Sequence, residues 1–161
     1  MLSDLKKPEK VPETIQPAYI FTKKIFPPAF EMNMKFKSSQ TGEMDIVFLG
    51  SKNLIPRYHL KIQANHSEDD PIEIVRESNS RKFVVGASTK FPVINDGKFH
   101  TLTWIRLTNG AMNVLIDGDV VLQTYEAYYR DNFTGFGVTN NGGSYQWDSF
   151  EIFKALKPQT N

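Results

Sequence analysis

The three histidines of this chain, His59, His66 and His100, are the side chains best suited to move protons near neutral pH. His59 and His100 fall in predicted strands, and His66 falls in a polar loop. No Gly-x-Ser-x-Gly elbow accompanies them, and no two histidines have the helical spacing of a metal site. A serine–histidine–aspartate triad assembles in space rather than in sequence, so that alternative stays open. The motifs predict no catalytic residue and no metal ligand, and an enzyme is not the favoured interpretation.

The carboxylates give a similarly weak signal for hydrolytic chemistry. A retaining glycosidase needs two carboxylates that flank the scissile bond, and on a jelly roll these commonly share one strand. Glu73 and Glu151 are each the only glutamate of their predicted strand. Glu68, Asp69 and Asp70 could supply oxygen ligands for calcium, but a solvated acidic loop is the favoured interpretation of that cluster.

Aromatic and amide side chains in loops give the strongest functional signal. Proteins bind sugars by stacking the ring of the sugar on an aromatic side chain and by hydrogen bonding its hydroxyls to planar polar groups. The predicted ligand-binding residues are Arg57, Tyr58, Asn65, Tyr125, Tyr128, Asn140, Asn141 and Tyr145. If their loops share one end of the fold, they form a shallow polar site. The alternative is that the tyrosines cover the rim of the fold and that the Asn-Gly loop is only a turn.

These loops must be positioned by a chain composed of short strands. Residues 30–37 alternate apolar and polar side chains, which is typical of a half-buried strand. Residues 95–121 contain three strands and two turns, and Asn109-Gly110 at their centre predicts a type I′ hairpin. Roughly eleven strands with no sustained helical periodicity predict an all-β antiparallel sandwich of two sheets. Trp104 and Trp147 lie in alternating strands and are predicted to fill its core.

The sequence pattern predicts one folded domain. Residues 1–17 contain prolines among charged residues and are predicted to form a flexible arm. Residues 18–155 are predicted to form a single β-sandwich domain, and residues 156–161 a polar tail. The chain of 161 residues is long enough to bury a core, and no linker interrupts it.

Composition narrows the classes of partner. The net charge of +1 gives no electrostatic reason to bind nucleic acid or a membrane surface, and no apolar run is long enough to span a bilayer. The chain has no cysteine, so disulfides and thiolate chemistry are excluded. Its first residues lack the apolar core of a signal peptide. We expect a secreted protein if such a peptide has been removed, and a cytoplasmic one otherwise.

The segment DGKFHTLTWIRLTNGAMNVLIDGDVV, residues 96–121, resembles the laminin-G and concanavalin-like group of proteins. In that group an Asp-Gly-Lys-aromatic-His entry leads into a strand, a hairpin and an Asp-Gly turn. The later segment GFGVTNNGGSYQWDSFEIF, residues 135–153, also looks like the closing strands of that group. The resemblance implies a concanavalin-like jelly roll, and it identifies the fold better than the function.

A narrower resemblance is to the domain first described in crustacean and insect farnesoic acid O-methyltransferases. It rests on four segments in the same order: MDIVFLG at 44–50, YHLKIQANHSEDDPIEIVR at 58–76, FHTLTWIRLTNGAMNVLIDGD at 99–119 and GFGVTNNGGSYQW at 135–147. The Ile-Gly-Gly of that family is Ile62-Gln63-Ala64 here, and its loop tryptophan is replaced near Tyr125. Methyl transfer from S-adenosylmethionine usually needs a βαβ unit with a Gly-rich turn, which this sequence lacks. The resemblance therefore implies a sandwich module more than an enzyme.

Three functions stay open at this point. The favoured one is a non-enzymatic, lectin-like β-sandwich that binds carbohydrate, or another polar small ligand, without a cofactor. The alternative is a structural module that associates with itself through exposed sheet edges and forms a homo-oligomer. Methyl transfer of the farnesoic-acid type is the least favoured.

Overall fold

The structure is a computed structural model that describes residues 18–39, 42–50, 55–142 and 144–155. The predicted arm at 1–17 and the predicted tail at 156–161 lie outside the described residues. The eleven strands are β1 (Ala18–Thr22), β2 (Phe30–Ser38), β3 (Glu43–Gly50), β4 (Ile55–Gln63), β5 (Glu73–Ser78), β6 (Arg81–Ala87), β7 (Phe99–Arg106), β8 (Ala111–Ile116), β9 (Asp119–Tyr125), β10 (Gly135–Asn141) and β11 (Tyr145–Lys154). The described residues contain no helix of the length and apolarity needed to cross a membrane.

The strands form a six-stranded sheet and a five-stranded sheet. The strand orders are β1-β10-β3-β4-β5-β6 and β11-β2-β7-β8-β9. Every paired strand runs antiparallel to its neighbour. The predicted all-β antiparallel sandwich of two sheets is therefore confirmed.

The core lies between the two sheets because alternate residues of each strand point inward. In β2 the two phenylalanines and two methionines are at most 1% exposed, whereas the residues between them are less buried. Trp104 in β7 is fully buried, as predicted, and its ring meets the rings of Phe30 and Phe48 edge-on at 5.3 Å. Trp147 is only half-buried, because β11 is an edge strand whose register shifts between Trp147 and Ser149.

The hairpin between β7 and β8 has a different turn from the predicted type I′. A type I′ turn needs positive φ at both central residues, but of Asn109 and Gly110 only Gly110 has it, at 92°. The amide of Leu107 donates to Ala111 O and the amide of Gly110 donates to Leu107 O, which closes a three-residue loop. A Cβ on Gly110 would lie 2.6 Å from Glu126 O, so packing against the β9–β10 connection also requires glycine here.

The strand register defines two ends of the sandwich. One end carries the β5–β6 turn, the β7–β8 turn and the β9–β10 connection, and we name it the arginine end because all five arginines of the chain lie there. The opposite end carries the β4–β5 loop, the β8–β9 turn and the β10–β11 turn. At roughly 3.3 Å per residue, the stretch from Arg57 to Gln63 in β4 separates the two ends by about 20 Å.

Candidate functional site

Arg106, the last residue of β7, holds the arginine end together from the inside. Its side chain is only 2% exposed, and its guanidinium donates to three backbone carbonyls. Nη1 donates to Pro28 O at 2.8 Å, and Nη2 donates to Tyr129 O at 2.7 Å and to Glu126 O at 3.2 Å. A guanidinium carries five donors in one rigid plane, so a single buried cation can fix several carbonyls. Arg106 therefore joins the segment before β2 to the β9–β10 connection.

Glu126 forms a second anchor in that connection. Its carboxylate accepts hydrogen bonds from the Tyr58 hydroxyl, from Arg76 Nη1 at 3.4 Å and from the Tyr128 amide at 2.9 Å. Burial, followed by the hydrogen bond to Glu126, raises the pKa of Tyr58, so its phenol remains a donor. The ring of Tyr58 is fully buried. This corrects the prediction that Tyr58 contacts a ligand, because its ring faces the core and only supports the residues above it.

Arg57 and Tyr129 pack against each other at the same end. The Arg57 guanidinium lies 5.5 Å from the ring centre of Tyr129, which also stacks on the Phe133 ring at 4.9 Å and meets the Tyr58 ring edge-on at 6.3 Å. A Cβ on Gly50 would come within 2.6 Å of both Arg57 Cγ and the Tyr129 hydroxyl, so glycine makes this approach possible. Arg57, a predicted site residue, is thus half-buried and oriented by a cation–π contact.

An open cleft of about 380 Å³ lies over Arg106, and we name it the tyrosine cleft. Its lining residues are Pro28, Arg106, Thr108, Asn109, Tyr125, Ala127, Tyr129 and Arg130. Tyr125 is 66% exposed, so most of its ring is accessible beside the planar groups of Asn109 and Arg130. This cleft can offer a sugar an aromatic surface together with hydrogen-bond donors and acceptors.

A second cleft, of about 420 Å³, borders Tyr128, and we name it the arginine cleft. Its lining residues are Arg76, Ser78, Asn79, Arg81, Phe83 and Tyr128. The guanidinium of Arg76 lies 4.2 Å from the ring centre of Tyr128 and 4.8 Å from that of Phe83. Two aromatic contacts and the bond to Glu126 hold this cation in place. Tyr128, a predicted site residue, is 62% exposed at the edge of this cleft.

The other predicted site residues lie at the opposite end, so the structure does not bring all eight together. They are Asn65, Asn140, Asn141 and Tyr145. The register explains the separation, since Asn140 and Asn141 end β10, whereas Arg57 and Tyr58 lie near the start of β4. Tyr145 is half-buried against the core, and its hydroxyl donates to Gly42 O at 2.8 Å. The side chain of Asn141 donates to Glu43 Oε1 at 3.4 Å, which is an interaction within the rim itself.

Two of the histidines are bonded to carboxylates on both sides. In His59, Nδ1 lies 2.8 Å from Asp45 Oδ2 and Nε2 lies 2.8 Å from Glu77 Oε2. His100 lies between two aspartates in the same way. Burial lowers the pKa of each ring, but the hydrogen bonds and charges of its two carboxylates raise the pKa overall. With both nitrogens engaged, neither ring can accept a proton from a nucleophile in this arrangement.

The outer face of the six-stranded sheet carries a third cleft, of about 330 Å³, beside His59. Its lining residues are Phe21, Asp45, Val47, Leu49, Pro56, His59 and Thr139. Its histidine is already bonded to Asp45 and Glu77, which leaves fewer polar groups to orient a ligand than in the tyrosine cleft. Among the described residues, no group of His, Cys, Asp and Glu side chains could hold a metal ion.

Sequence reasoning missed Arg76, Arg106 and Glu126 as site residues. No motif surrounds them, and a charged residue at a strand end is ordinarily interpreted as solvated. One signal was present: Arg76 and Arg81 flank a single hairpin turn, and such a turn brings the ends of its two strands together. The contribution of Arg106 depends on packing between the sheets, which the order of residues does not reveal.

Comparison with known proteins identifies the fold. No protein-family model matches the chain, and no curated protein matches its sequence. The carbohydrate binding module CBM66 from Bacillus subtilis is similar with a TM-score of 0.63 at 13% identity, over 84% of this chain and 81% of that chain. A tetrameric galectin from the ball sponge Cinachyrella sp. is similar with a TM-score of 0.63 at 11% identity, over 84% of this chain and 99% of that chain. CG-16, a homodimeric agglutinin from chicken liver, is similar with a TM-score of 0.60 at 10% identity, over 86% of this chain and 100% of that chain.

The fold is a concanavalin-like jelly roll. That part of the predicted resemblance is confirmed, since these solved structures are sandwiches of the same kind. With identities between 10% and 13%, the similarity extends to the fold and no further.

Proposed function

We propose that the chain is a non-enzymatic, lectin-like module that binds carbohydrate in the tyrosine cleft. One observation carries the proposal: the exposed Tyr125 shares a cleft with Asn109 and Arg130. An aromatic ring can cover the C–H face of a sugar, while amide and guanidinium groups bond to its hydroxyls. Names among the solved neighbours, namely a carbohydrate binding module, a galectin and an agglutinin, support the proposal at the level of fold.

The proposed site is supported from beneath by buried polar contacts. Of the sequence-predicted residues, Tyr125 lines this cleft, Arg57 packs on its lining residue Tyr129, and Tyr128 borders the neighbouring arginine cleft. Arg106 and Glu126 fix the β9–β10 connection beneath them. A loop that is already ordered loses less conformational entropy when a ligand binds. This favours the arginine end over a surface on which exposed residues would have to be ordered by the ligand.

A glycan array followed by calorimetric titration of each hit tests the proposal. Tyr125→Ala should weaken binding by about fivefold, since stacking on one exposed ring is worth roughly 1 kcal/mol. Phe99→Ala removes an exposed ring at the opposite end and serves as the matched control. Folded protein that binds no glycan on the array would contradict the proposal. Equal losses of affinity in Tyr125→Ala and Phe99→Ala would show that the site is not the tyrosine cleft.

Self-association is a second candidate function, because one side of the sandwich is open. The edge strands β1 and β11 border an apolar cleft of about 230 Å³, and Phe21 and Phe150 are exposed along that side. The other side is closed where the Thr124 hydroxyl in β9 donates to Val85 O in β6. Exposed edges can pair with a second copy of the chain. Sedimentation of the full chain, of Phe21→Lys and of a chain without residues 1–17 tests this, and monomers at all concentrations would contradict it.

We also propose a kinship with the farnesoic acid O-methyltransferase-type domain, resting on the ordered segments described above. No described residue lies in a helix, so the described part of the chain has no βαβ unit for S-adenosylmethionine. We therefore expect no rise in melting temperature with a large excess of that cofactor. A clear rise would argue for methyl transfer instead.

A further inference from the structure

We propose that the glycan is acidic and that the arginine cleft binds its carboxylate or sulfate group. This inference rests on the proposed carbohydrate function of the tyrosine cleft. Its starting point is the distribution of arginine, since all five lie at one end although the net charge of the whole chain is only +1. They are Arg57, Arg76, Arg81, Arg106 and Arg130.

Carboxylates at the arginine end do not balance these cations. The acidic residues at this end are Glu31, Glu77, Glu126 and Asp131, fewer than the five arginines, and Glu77 is bonded to His59. Among the described residues, Arg76 is the only arginine in a salt bridge, with Glu126 at 3.4 Å. Arg106 is bonded to carbonyl groups, which carry no formal charge. The end therefore keeps an excess of positive charge, and acidic residues elsewhere on the chain offset it only at a distance.

Several buried donors at the arginine end lack an acceptor. Within the described part of the chain, the Nε atoms of Arg57, Arg76 and Arg106 are buried and have no hydrogen-bond partner. Burying a donor without an acceptor costs free energy. No carbonyl or carboxylate oxygen lies beside such an N–H to offset its positive charge. These donors cannot reach a ligand themselves, but they add to the positive potential over both clefts.

The arginine cleft has the groups that an oxyanion requires. Arg81 is exposed at the start of β6, and Ser78 and Asn79 add a hydroxyl and an amide. Arg76 is held between two rings, so its planar donors are already oriented. A guanidinium matches the geometry of a carboxylate or a sulfate better than an ammonium does, because it can form two parallel bonds.

The two clefts are adjacent along the β9–β10 connection. Tyr128 borders the arginine cleft, while its chain neighbours Ala127 and Tyr129 line the tyrosine cleft. A sugar ring on Tyr125 would thus have a charged substituent, or the next charged residue of the same glycan, within reach of Arg81. The shared chemistry is an oxyanion on a sugar, which a uronate and a sulfate ester both provide.

Two matched pairs of polysaccharides test the inference by calorimetry and surface binding. Dextran sulfate is compared with dextran, and alginate with carboxyl-reduced alginate, so that each pair differs in charge and keeps its backbone. We expect binding to at least one charged member, at least tenfold weaker binding to its neutral partner, and a loss of affinity as salt is raised. Arg81→Gln should weaken binding to the charged member roughly tenfold. Lys98→Gln removes the same charge at the opposite end and should leave binding unchanged.

The outcomes separate this inference from the proposed function. Equal binding to both members of each pair, or array hits confined to neutral glycans, would overturn the acidic ligand and leave carbohydrate binding in place. Binding to no glycan at all would overturn both. Equally tight binding to double-stranded DNA would show a general affinity for polyanions and would also overturn the inference. An equal loss of affinity for the charged polysaccharide in Arg81→Gln and Lys98→Gln would show that the arginine cleft is not the binding site.

Discussion

The arginine end and the opposite end use many of the same residue types, yet their side chains are arranged differently. At the opposite end, the Tyr145 hydroxyl is bonded to Gly42 O and His100 lies between two aspartates. At the arginine end, Tyr125 and Tyr128 are 66% and 62% exposed, while the polar contacts lie beneath them. At the opposite end the polar groups bond to one another and close the turns. At the arginine end the buried polar groups hold exposed side chains in place.

The difference shows why residue type alone is a poor guide to a binding site. A tyrosine or an asparagine in a loop can complete the hydrogen bonds of a turn or remain available to a ligand. Buried support under exposed rings, as Arg106 and Glu126 provide here, distinguishes the second case. Substitutions in the core and at each end test this contrast, with expected effects that decrease from the core to the surface.

Trp104→Ala should destabilise both ends alike, because the ring fills the core between the sheets. Loss of a fully buried tryptophan leaves a cavity and costs about 3–5 kcal/mol. Trp147→Ala should cost less, about 1–2 kcal/mol, since that ring is half-buried at the rim. Chemical denaturation of both variants checks this, and equal costs would contradict the assigned burial.

Arg106→Met should destabilise the arginine end selectively. The change keeps an apolar stem but leaves three carbonyls without their donor, which we expect to cost about 3 kcal/mol. Hydrogen exchange should rise at residues 126–130 and stay unchanged at the β8–β9 turn. A uniform rise over the whole sandwich would show that Arg106 supports the core rather than this end.

Tyr145→Phe tests the opposite end with a smaller change. Loss of the hydroxyl that donates to Gly42 O should cost about 1 kcal/mol of stability and leave glycan binding unchanged. Denaturation and a binding titration on the same protein provide both numbers. Weaker binding without loss of stability would return Tyr145 to the ligand site.

The smallest effect concerns pH. The pKa of His59 is raised, so the stability it contributes is complete below its unfolded pKa of about 6.5 and is lost as pH rises through the folded value. His100 acts in the same direction. Burial lowers the pKa of His66, so its contribution is instead lost below about pH 6.5. The free energy of unfolding should therefore fall as pH rises above about 6.5 into the mildly alkaline range, and His59→Gln should flatten that fall. A flat wild-type profile in that range would contradict the account.

Much of the fold could be predicted because it depends on local pattern. Alternation in residues 30–37 predicted β2, and the frequent turns predicted the strand number and the two antiparallel sheets. The type of the β7–β8 turn was predicted wrongly. Gly110 packs closely against the backbone of Glu126, and the local sequence does not reveal this contact. The burial of Trp147 was overestimated, because edge position and a register shift are properties of the assembled sheet.

The candidate site was less predictable because it depends on which strand ends meet. Tyr125 and Tyr128, which the sequence selected as ligand-binding aromatics, are exposed at this end, and Arg57 packs on the neighbouring Tyr129 ring. Grouping them with Asn141 required two loops to share an end, and the register of β10 on β3 places those loops apart. The role of Arg106 arises from contacts between residues far apart in sequence, which no local pattern contains.

The most direct test of carbohydrate binding at the arginine end is an NMR titration of the whole protein with the tightest glycan from the array. Backbone shifts are followed at both ends and on the outer face of the six-stranded sheet in the same experiment. The account predicts that the largest changes cluster at residues 125–130 and 76–83. Changes centred on residues 140–145, or on His59 and its neighbours on the outer face, would contradict it.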